Sequence, residues 1–328
     1  KIMPALVCGN TIVFKPSSAT PLCAAELVKI IEQAGLPKGV LNFITGSAEE
    51  VGKPMVRHKA LRAISFTGHR DTGEWILKNA GIKRIGLELG GKNGIIVMDD
   101  ADLDLAADGI IWAGYGTAGQ RCTAASRVIA LDSVYAKLQR KLVARIGMLR
   151  LGNGLERKTD IGPLVSQAAV EKAASYVDIG QEEGASLLVG GGRLKGRGFF
   201  YQPTLFGEVQ QGMRIAQEEI FGPVVGLLRA GNFDAAIDIM NSVKYGLSAS
   251  IYTKDVRNAF LAIQHMEAGI TYVNASTIGA EVHLPFGGVK ETGNGAREGS
   301  SGIEEFSEVK TVYVDYSGKL QRAQIDVD

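Results

Sequence analysis

A cysteine and a carboxylate in this chain have the residue types needed for covalent catalysis. Cys122 lies in the run GTAGQRCTAAS, and Glu88 lies in GLELGGKN, thirty-four residues earlier. A thiolate can attack an electrophilic carbon, and a carboxylate can later deprotonate the water that releases the product. The pair therefore predicts a nucleophile and its base, provided that the fold brings them together.

A single cysteine is more often a buried, unreactive side chain, and this interpretation suits Cys8 and Cys23. At neutral pH a free thiol is mostly protonated, because its reference pKa is about 8.5. A reactive Cys122 would therefore need a helix N-terminus or a cationic neighbour.

Two segments suggest a nucleotide site. The run from Gly86 to Asn93 comes within one residue of a phosphate-binding P-loop, but Asn93 stands where Ser or Thr would hold magnesium. A phosphotransferase is therefore the disfavoured alternative. The second segment, Phe66-Thr67-Gly68-His69, ends a strand just before a helix, and the free N–H groups of such a turn can bind a pyrophosphate. Taken alone, this second pattern also fits an ordinary tight turn.

The composition is that of a globular protein large enough for two domains. The chain has 328 residues, 45% of them hydrophobic and 22% charged, with a formal net charge of +1. No basic block is present, so nucleic acid is not expected as a partner. The three cysteines are too few and too scattered for a disulfide framework, and no Cys/His spacing predicts a metal site. These features favour a reducing, cytoplasmic compartment.

The N-terminal segment needs a separate interpretation. Residues 2–14 are uncharged and follow Lys1, but Asn10 and Thr11 interrupt the run and no small-residue cleavage site follows. We interpret the segment as core structure. No stretch reaches the roughly 18 apolar residues of a membrane span, so no membrane association is expected. The chain begins with Lys, which predicts a processed or truncated product.

Extended and helical patterns alternate along the chain. Strands are predicted at 11–14, 40–45, 61–67, 82–89, 94–98, 127–131, 186–189, 248–252 and 270–274, and helices at 21–34, 72–79, 135–148, 168–183 and 256–266. In the first helix, Thr20 is the expected N-cap, and Leu22, Ala25, Val28 and Ile31 form the expected apolar stripe. Strands separated by such helices predict an α/β fold with a parallel sheet covered on both faces.

The segment 308–316, which reads EVKTVYVDY, alternates as an edge strand would. On a monomer it would leave an unpaired edge, so an oligomer is expected.

Six motifs together resemble the aldehyde dehydrogenase superfamily. They are VFKPSSATP at 13–21, FTGHRDTG at 66–73, LELGGKN at 87–93, GQRCT at 119–123, EEIFGPV at 218–224 and PFGGVKETGNGAREG at 285–299. Their order and spacing are similar to the family's over nearly the whole chain, which corresponds to the C-terminal two thirds of such an enzyme. The resemblance implies an N-terminally incomplete Rossmann-like cofactor domain, a catalytic domain and a small oligomerisation strand. We place these at 1–89, 90–292 and 293–328.

The resemblance implies NAD(P)-dependent oxidation of an aldehyde to its acid. Cys122 would attack the aldehyde carbon, and Glu88 would activate the water that hydrolyses the resulting thioester. The backbone N–H of Cys122 would donate to the oxyanion. The family's second oxyanion donor, an asparagine, lies upstream of Lys1. A non-catalytic homologue or fragment, which binds nucleotide or partner subunits without turnover, is therefore the alternative.

The resemblance also implies a set of cofactor contacts. Lys15 would bind the adenosine ribose, Glu219 the nicotinamide ribose with Phe221 beside the ring, and Gly68 with His69 would lie at the pyrophosphate. Many NAD-preferring members carry Glu three residues after the lysine, where this chain has Ser18. Because a carboxylate there would repel a 2′-phosphate, its absence leaves both NAD and NADP open.

The resemblance implies a substrate class and an assembly. Arg121 and the segment 275–288 are similar to members that oxidise semialdehydes with a distal carboxylate, such as 2-oxoglutarate or aminoadipate semialdehyde. A guanidinium could bind that carboxylate as a bidentate pair. Alternatively, Arg121 braces the catalytic loop. The strand at 308–316 would join a neighbouring subunit in a homodimer or homotetramer.

Overall fold

A computed structural model describes residues 1–294, 296–297 and 299–320. The helices are α1 (Ile2–Val7), α2 (Pro21–Gln33), α3 (Lys53–Arg57), α4 (Arg70–Asn79), α5 (Leu103–Tyr115), α6 (Asp132–Gly147), α7 (Gln167–Glu182), α8 (Arg214–Gln217), α9 (Phe233–Asn241), α10 (Val256–His265) and α11 (Gly299–Glu305). The strands are β1 (Ile12–Phe14), β2 (Leu41–Phe43), β3 (Ala63–Thr67), β4 (Arg84–Glu88), β5 (Asn93–Val97), β6 (Ala125–Leu131), β7 (Ser186–Val189), β8 (Thr204–Gly207), β9 (Val224–Ala230), β10 (Tyr245–Gly246), β11 (Ser248–Tyr252), β12 (Ile270–Val273), β13 (Phe286–Gly287), β14 (Val289–Lys290) and β15 (Ala296–Arg297).

The largest unit is a seven-stranded sheet in the order β12-β11-β5-β6-β9-β8-β7. Its neighbouring strands run parallel except for β7, which is antiparallel to β8. Every residue of β5 and β11 is buried. Strands that are apolar without alternation need cover on both faces, and α5, α6 and α9 pack against this sheet. The predicted α/β class is confirmed.

The first part of the chain forms two smaller β-α-β units. In one, β1 pairs with β2 in parallel, and α2 connects them; in the other, β3 pairs with β4, and α4 connects them. Sequence analysis predicted one sheet here, whereas within the described residues the two pairs share no strand pairing. Lys15 follows the carboxyl end of β1, and Gly68 follows the carboxyl end of β3. In α/β folds, ligands bind at the carboxyl ends of parallel strands.

The apolar stripe predicted for α2 is only half correct. Val28 and Ile31 are buried beside Leu41, as expected. Leu22, however, is 73% exposed, because this small core covers only the second half of the helix. Thr20 does occupy the N-cap position, but its side chain makes no capping hydrogen bond.

The chain crosses between the small units and the large sheet at two adjacent places. After β4, Leu89 donates its N–H to the carbonyl of Thr292 at 2.6 Å, and Glu88 forms an antiparallel bridge with Gly293. The chain then returns to the first unit, where Asn294 bonds the backbone of β4 and α11 packs on α1. The predicted domain limits at 89/90 and 292/293 coincide with these crossings, and the division itself stays a prediction.

The strand predicted at 308–316 is not present within this chain. Residues 308–316 form no strand pairing with any other described segment, and they lie in neither a strand nor a helix. The physical reason is that a strand needs a hydrogen-bonded neighbour, and this segment extends into solvent, with Val309 99% and Tyr313 93% exposed. Pairing with a second subunit stays a prediction. Residues 295, 298 and 321–328 of the predicted C-terminal unit lie outside the described residues.

The core of the large sheet should contribute most of the free energy of unfolding, and one matched pair of variants tests this. Ile129 lies at the centre of β6 with 0% exposure, whereas Ile82 is fully exposed in a turn. We expect Ile129→Ala to lower the free energy of unfolding by about 3 kcal/mol, because it removes buried methyl groups and leaves a cavity. Ile82→Ala should change it by less than about 0.5 kcal/mol. Urea unfolding measures both, and equal losses would contradict this account.

Candidate active site

Cys122 lies in a tight loop between α5 and β6. The loop begins with a single 3-10 turn at Gly116–Gly119, in which Thr117 and Ala118 have φ values of 53° and 54°. Gly119 also has a positive φ of 69°, and a Cβ there would collide with the carbonyl oxygen of Gly222. The left-handed turn therefore sets the direction in which the chain enters Cys122.

The side chain of Asn93 fixes the loop after the turn. Its Nδ2 group donates to the carbonyl oxygen of Cys122 at 2.7 Å and to that of Ala124 at 3.0 Å. Its Oδ1 atom accepts from the N–H of Ser248 at 3.0 Å. The hydroxyl of Thr277 donates to the carbonyl of Thr123 at 2.7 Å. Sequence analysis considered Asn93 only as an argument against a P-loop and so missed this role.

Two carboxylates lie near the thiol. Glu88, at the end of β4, is 4% exposed, and Glu219 follows α8. Burial raises the pKa of the Cys122 thiol, and the negative charges of Glu88 and then Glu219 raise it further. The N–H groups of Thr123 and of Cys122 itself act in the opposite direction by hydrogen bonding to the sulfur.

This environment differs from the one that sequence analysis expected for Cys122. A helix N-terminus or a cation would lower the pKa of the thiol, whereas the charges that act on it most are carboxylates. The thiol is therefore mostly protonated at neutral pH. A nearby carboxylate can remove its proton, and the two backbone N–H groups stabilise the thiolate once it forms.

Glu219 is held against the glycine pair that follows β4. The N–H of Gly91 donates to its Oε1 atom at 3.1 Å, and a Cβ on Gly90 would collide with its Oε2 atom. Lys172 on α7 donates to the carbonyl oxygen of Glu219 at 2.9 Å. Glycine is therefore required at position 90, because only a bare backbone lets the carboxylate approach this closely.

The residues around Glu219 alternate in their exposure. Ile220 is 3% exposed and belongs to the core, whereas Phe221 is 43% exposed and has a φ of 57°. A positive φ is uncommon for a bulky residue and marks backbone strain. Glu218 accepts hydrogen bonds from Tyr176 at 2.6 Å and from Arg214 at 2.9 Å. Glu218 is thus held by structural contacts, whereas Phe221 is exposed, and its place beside the nicotinamide ring stays a prediction.

The predicted pyrophosphate turn lies next to Glu88. The N–H of Gly68 donates to the carbonyl oxygen of Glu88 at 3.1 Å, which places the turn after β3 beside the predicted base. His69 is the N-cap of α4, and its Nδ1 atom accepts from the N–H of Asp71 at 3.3 Å. This confirms only that His69 can cap the helix. The turn leads directly into a helix N-terminus, and its role as a pyrophosphate site stays a prediction.

Lys15 and Ser18 lie at the edge of the other strand pair and make local contacts. The Nζ atom of Lys15 donates to the carbonyl of Pro16 at 3.2 Å, and the hydroxyl of Ser18 donates to that of Gly46 at 3.1 Å. Both residues follow the carboxyl end of β1, whereas the turn at Gly68 follows the carboxyl end of β3 in the other strand pair. The structure thus brings Cys122, Glu88 and Glu219 together, while Lys15 and Ser18 form a separate group.

Arg121 is braced by its neighbours. Its Nε–H donates to the hydroxyl of Thr117 at 3.0 Å, and its guanidinium lies 5.5 Å from the ring centroid of Trp112. These contacts support the second of the two interpretations, in which Arg121 stabilises the catalytic loop. Because only the Nε–H is engaged in a hydrogen bond among the described residues, the two Nη groups are available to an anion.

Among residues 1–294 and the described residues beyond them, no group of three or more His, Cys, Asp or Glu side chains could hold a metal ion. No helix in this part of the chain is long and apolar enough to cross a membrane.

The charge on Glu88 should control the reactivity of Cys122. In a Cys8→Ser, Cys23→Ser background, Glu88→Gln removes a negative charge, and we expect the pKa of the thiol to fall. Alkylation by iodoacetamide at pH 8 should then be about three- to tenfold faster, in proportion to the thiolate fraction. Glu32→Gln, which changes an exposed carboxylate on α2, should have no effect. Equal or slower alkylation of the Glu88→Gln variant would contradict this.

Several known proteins are similar to this chain. It is 40% identical over 322 residues to the α-ketoglutaric semialdehyde dehydrogenase of Bacillus subtilis, a match that covers 96% of this chain and 66% of the relative. It is 41% identical over 319 residues to the 2,5-dioxopentanoate dehydrogenase of Saccharolobus solfataricus, covering 95% and 66%.

A solved structure is similar as well. The betaine aldehyde dehydrogenase of Staphylococcus aureus in complex with NAD+ superimposes with a TM-score of 0.91 at 39% identity, covering 93% of this chain and 62% of that one. The chain thus spans about two thirds of the length of the relatives that it matches. The profile of the aldehyde dehydrogenase family matches residues 1–312. The chain therefore belongs to the aldehyde dehydrogenase family.

Proposed function

We propose that this protein oxidises an aldehyde to its carboxylic acid with NAD or NADP. The observation that supports this most is the placement of the Cys122 thiol beside the carboxylates of Glu88 and Glu219, in a loop that Asn93 fixes. The names of the relatives, all of them aldehyde dehydrogenases, agree with it. The non-catalytic alternative has less support, because the nucleophile, the base and the cofactor-side acid are all present.

The reaction uses these residues in sequence. A carboxylate takes the thiol proton and releases it to solvent, and the Cys122 sulfur then adds as thiolate to the aldehyde carbon to form a thiohemiacetal alkoxide. Bound NAD or NADP supplies the hydride acceptor, and loss of hydride from the thiohemiacetal leaves a thioester on Cys122. Glu88 next takes a proton from water, the hydroxide adds to the thioester carbon, and collapse of this adduct releases the acid and the thiolate.

The cofactor residues lie in three segments, which follow β1, β3 and α8. Lys15 and Ser18 would bind the adenosine ribose, and Gly68 with His69 would bind the pyrophosphate. Glu219 would bind the nicotinamide ribose through its Oε2 atom, because Gly91 already occupies its Oε1 atom. Phe221 would lie beside the nicotinamide ring. Ser18 carries no charge that would repel a 2′-phosphate, so we include NADP together with the NAD+ of the solved relative.

We propose a semialdehyde with a distal carboxylate as the substrate class. The available Nη groups of Arg121 could bind that carboxylate while its Nε–H stays on Thr117. The names of the relatives from B. subtilis and S. solfataricus support the same class. Trp112, which is 52% exposed under the guanidinium, would limit the width of the entrance.

We further propose a homodimer or homotetramer in a reducing, cytoplasmic compartment. The exposed apolar side chains of 308–316, including Val312 and Tyr316, would be covered by strand pairing with a neighbouring subunit. A nucleophilic thiol needs a reducing environment to stay active, since oxidation would remove its nucleophilicity.

Aldehyde-dependent reduction of NAD or NADP tests the proposed reaction. Wild type should form NAD(P)H with propanal, whereas Cys122→Ser should lose at least about 1000-fold in rate because the nucleophile is lost. Glu88→Gln should give one equivalent of NAD(P)H per site and then turn over about 100-fold more slowly, because the thioester accumulates. If the folded wild type binds NAD without aldehyde-dependent reduction, the non-catalytic alternative is correct.

The substrate class is tested with two aldehydes of equal length, 2-oxoglutarate semialdehyde and pentanal. Arg121→Gln should raise KM for the semialdehyde about tenfold, the usual cost of one lost charge-assisted hydrogen bond, and leave the KM for pentanal unchanged. Equal losses with both aldehydes would indicate that Arg121 only braces the loop. If wild type shows no preference for the semialdehyde, the proposed class is wrong.

A further inference from the structure

Lys92 is a buried cation that the proposed reaction does not use. Its side chain is 1% exposed, and its Nζ atom has no hydrogen-bond partner within the described residues. An ammonium group buried without a partner costs several kcal/mol relative to water. A methionine or leucine would fill the same volume at no such cost. The position therefore carries a charge that folding alone does not require.

The surroundings of Lys92 are polar and tightly packed. Lys92 and Ser248, whose hydroxyl also has no partner in the described part of the chain, line a cavity of about 10 Å³ together with Arg127. Such a volume is enough for one water molecule. The Arg127 guanidinium does not neutralise Lys92, because it is itself a cation and donates to the carbonyl oxygens of Lys92, Ile239 and Met240.

The negative charges that favour the protonated form of Lys92 come from two carboxylates at the predicted cofactor site. Burial lowers the pKa of Lys92 to about 7, and the Arg127 charge contributes to this. The carboxylates of Glu219 and then Glu218 act in the opposite direction. Glu218 is already paired with Arg214, whereas the hydrogen bond that Glu219 accepts comes from Gly91, the residue next to Lys92. Glu219 is thus the carboxylate whose charge Lys92 can balance.

The backbone also connects Lys92 with Glu219. Gly91 holds Glu219, and Asn93 holds the loop that carries Cys122, so Lys92 lies between the anchors of both.

We propose that Lys92 is a positioning residue for the cofactor, whose buried ammonium holds the Glu219 carboxylate in place on the Gly91 N–H so that Glu219 can bind the nicotinamide ribose. This inference rests on the proposed function of Glu219. The interaction is reciprocal, because a charged Glu219 also stabilises the protonated form of Lys92. Lys92 itself touches neither the substrate nor the cofactor in this proposal.

The proposal predicts a specific dependence on pH. The charged groups that face Lys92 are Arg127 on β6, Lys172 on α7 and the two carboxylates Glu218 and Glu219, while Tyr245 and Glu267 also line the cavity. Below pH 7 Lys92 is protonated and supports Glu219. As the pH rises through about 7, Lys92 loses its proton and this support disappears.

The decisive measurement is the Kd for NAD of two proteins, Lys92→Met and wild type, between pH 6 and pH 8.5. The quantity compared is the Kd of the variant divided by the Kd of wild type. Methionine keeps the length of the side chain and removes the charge. We expect a ratio of about ten at pH 6, falling towards one at pH 8.5, where both side chains are neutral. In a Glu219→Gln background the same substitution should change Kd by less than about twofold at either pH. Ser248→Ala, a neutral change in the same cavity, should leave Kd unchanged.

Thermal stability separates the proposed role of Lys92 from a purely structural one. The proposal expects the melting temperature of Lys92→Met to equal or exceed that of wild type, most clearly at pH 6, because the variant buries no unpaired charge. A structural role would instead lower the melting temperature of the variant. A ratio that stays near one at pH 6, that does not vary with pH, or that persists in the Glu219→Gln background would overturn the proposal.

Two further results remain distinguishable. If wild type binds neither NAD nor NADP, the proposed cofactor is wrong and this inference falls with it. If Lys92→Met does not fold, the Kd of wild type alone still decides, because it should rise between pH 6 and pH 8.5 and should do so less in Glu219→Gln. Identical profiles for these two proteins would overturn the role of Lys92.

Discussion

The hydrogen bonds of one amide side chain hold the candidate active site together. Asn93 begins β5, uses its Nδ2 group to hold the carbonyls of Cys122 and Ala124, and uses its Oδ1 atom to hold β11 through Ser248. It therefore joins two strands of the large sheet to the loop of the nucleophile. A carboxylate at this position could not donate, and a hydroxyl could not reach three partners, so asparagine satisfies a geometric requirement that few other side chains meet.

The sites on either side of Asn93 differ in electrostatics. On the nucleophile side, burial and two carboxylates disfavour the thiolate of Cys122. On the cofactor side, glycines bring the Glu219 carboxylate against the backbone, and the buried Lys92 directly follows the glycine that holds it. The same carboxylates that suppress the resting thiolate are those that the proposed reaction uses as a base and as a ribose ligand. A low reactivity of the free enzyme towards unrelated electrophiles is a consequence of this arrangement.

Much of the fold could be predicted from the sequence, because local patterns specify it. The strands β7 and β11 have the predicted limits, since each is a short apolar run between turn residues. The helix α5 was missed because most of its residues are apolar and its exposed face mixes Asp104 and Asp108 with the apolar Leu105 and Trp112, although Asp102 caps it as its sequence would allow. The strand β9 was missed as well, despite its apolar run VVGLLRA. The segment 308–316 alternates correctly, but a pattern cannot supply the neighbour that a strand requires.

Sequence analysis could predict only those site residues that lie in recognisable motifs. Cys122, Glu88 and Glu219 were named from sequence, and the structure brings them together. Asn93, Lys92 and Lys172 were missed as functional residues, because their roles depend on partners far along the chain, such as Ser248 and Glu219. A bracing role for Arg121 was one of two interpretations of the sequence, but its contacts with Thr117 and Trp112 could not be foreseen, since they depend on the left-handed turn at Thr117.

The double crossing between the small strand pairs and the large sheet has a mechanical consequence. Two antiparallel segments, joined by Leu89 and Thr292, run side by side, and the buried hydroxyl of Thr292 ties them to Gly90 and to Gly246 of β10. Gly90 is thus bonded to the second segment and directly precedes Gly91, whose N–H holds Glu219 and whose Cα lies against the carbonyl oxygen of Cys122. A displacement of the small strand pairs relative to the large sheet would therefore act first on this glycine pair, and through it on both the acid and the loop of the nucleophile.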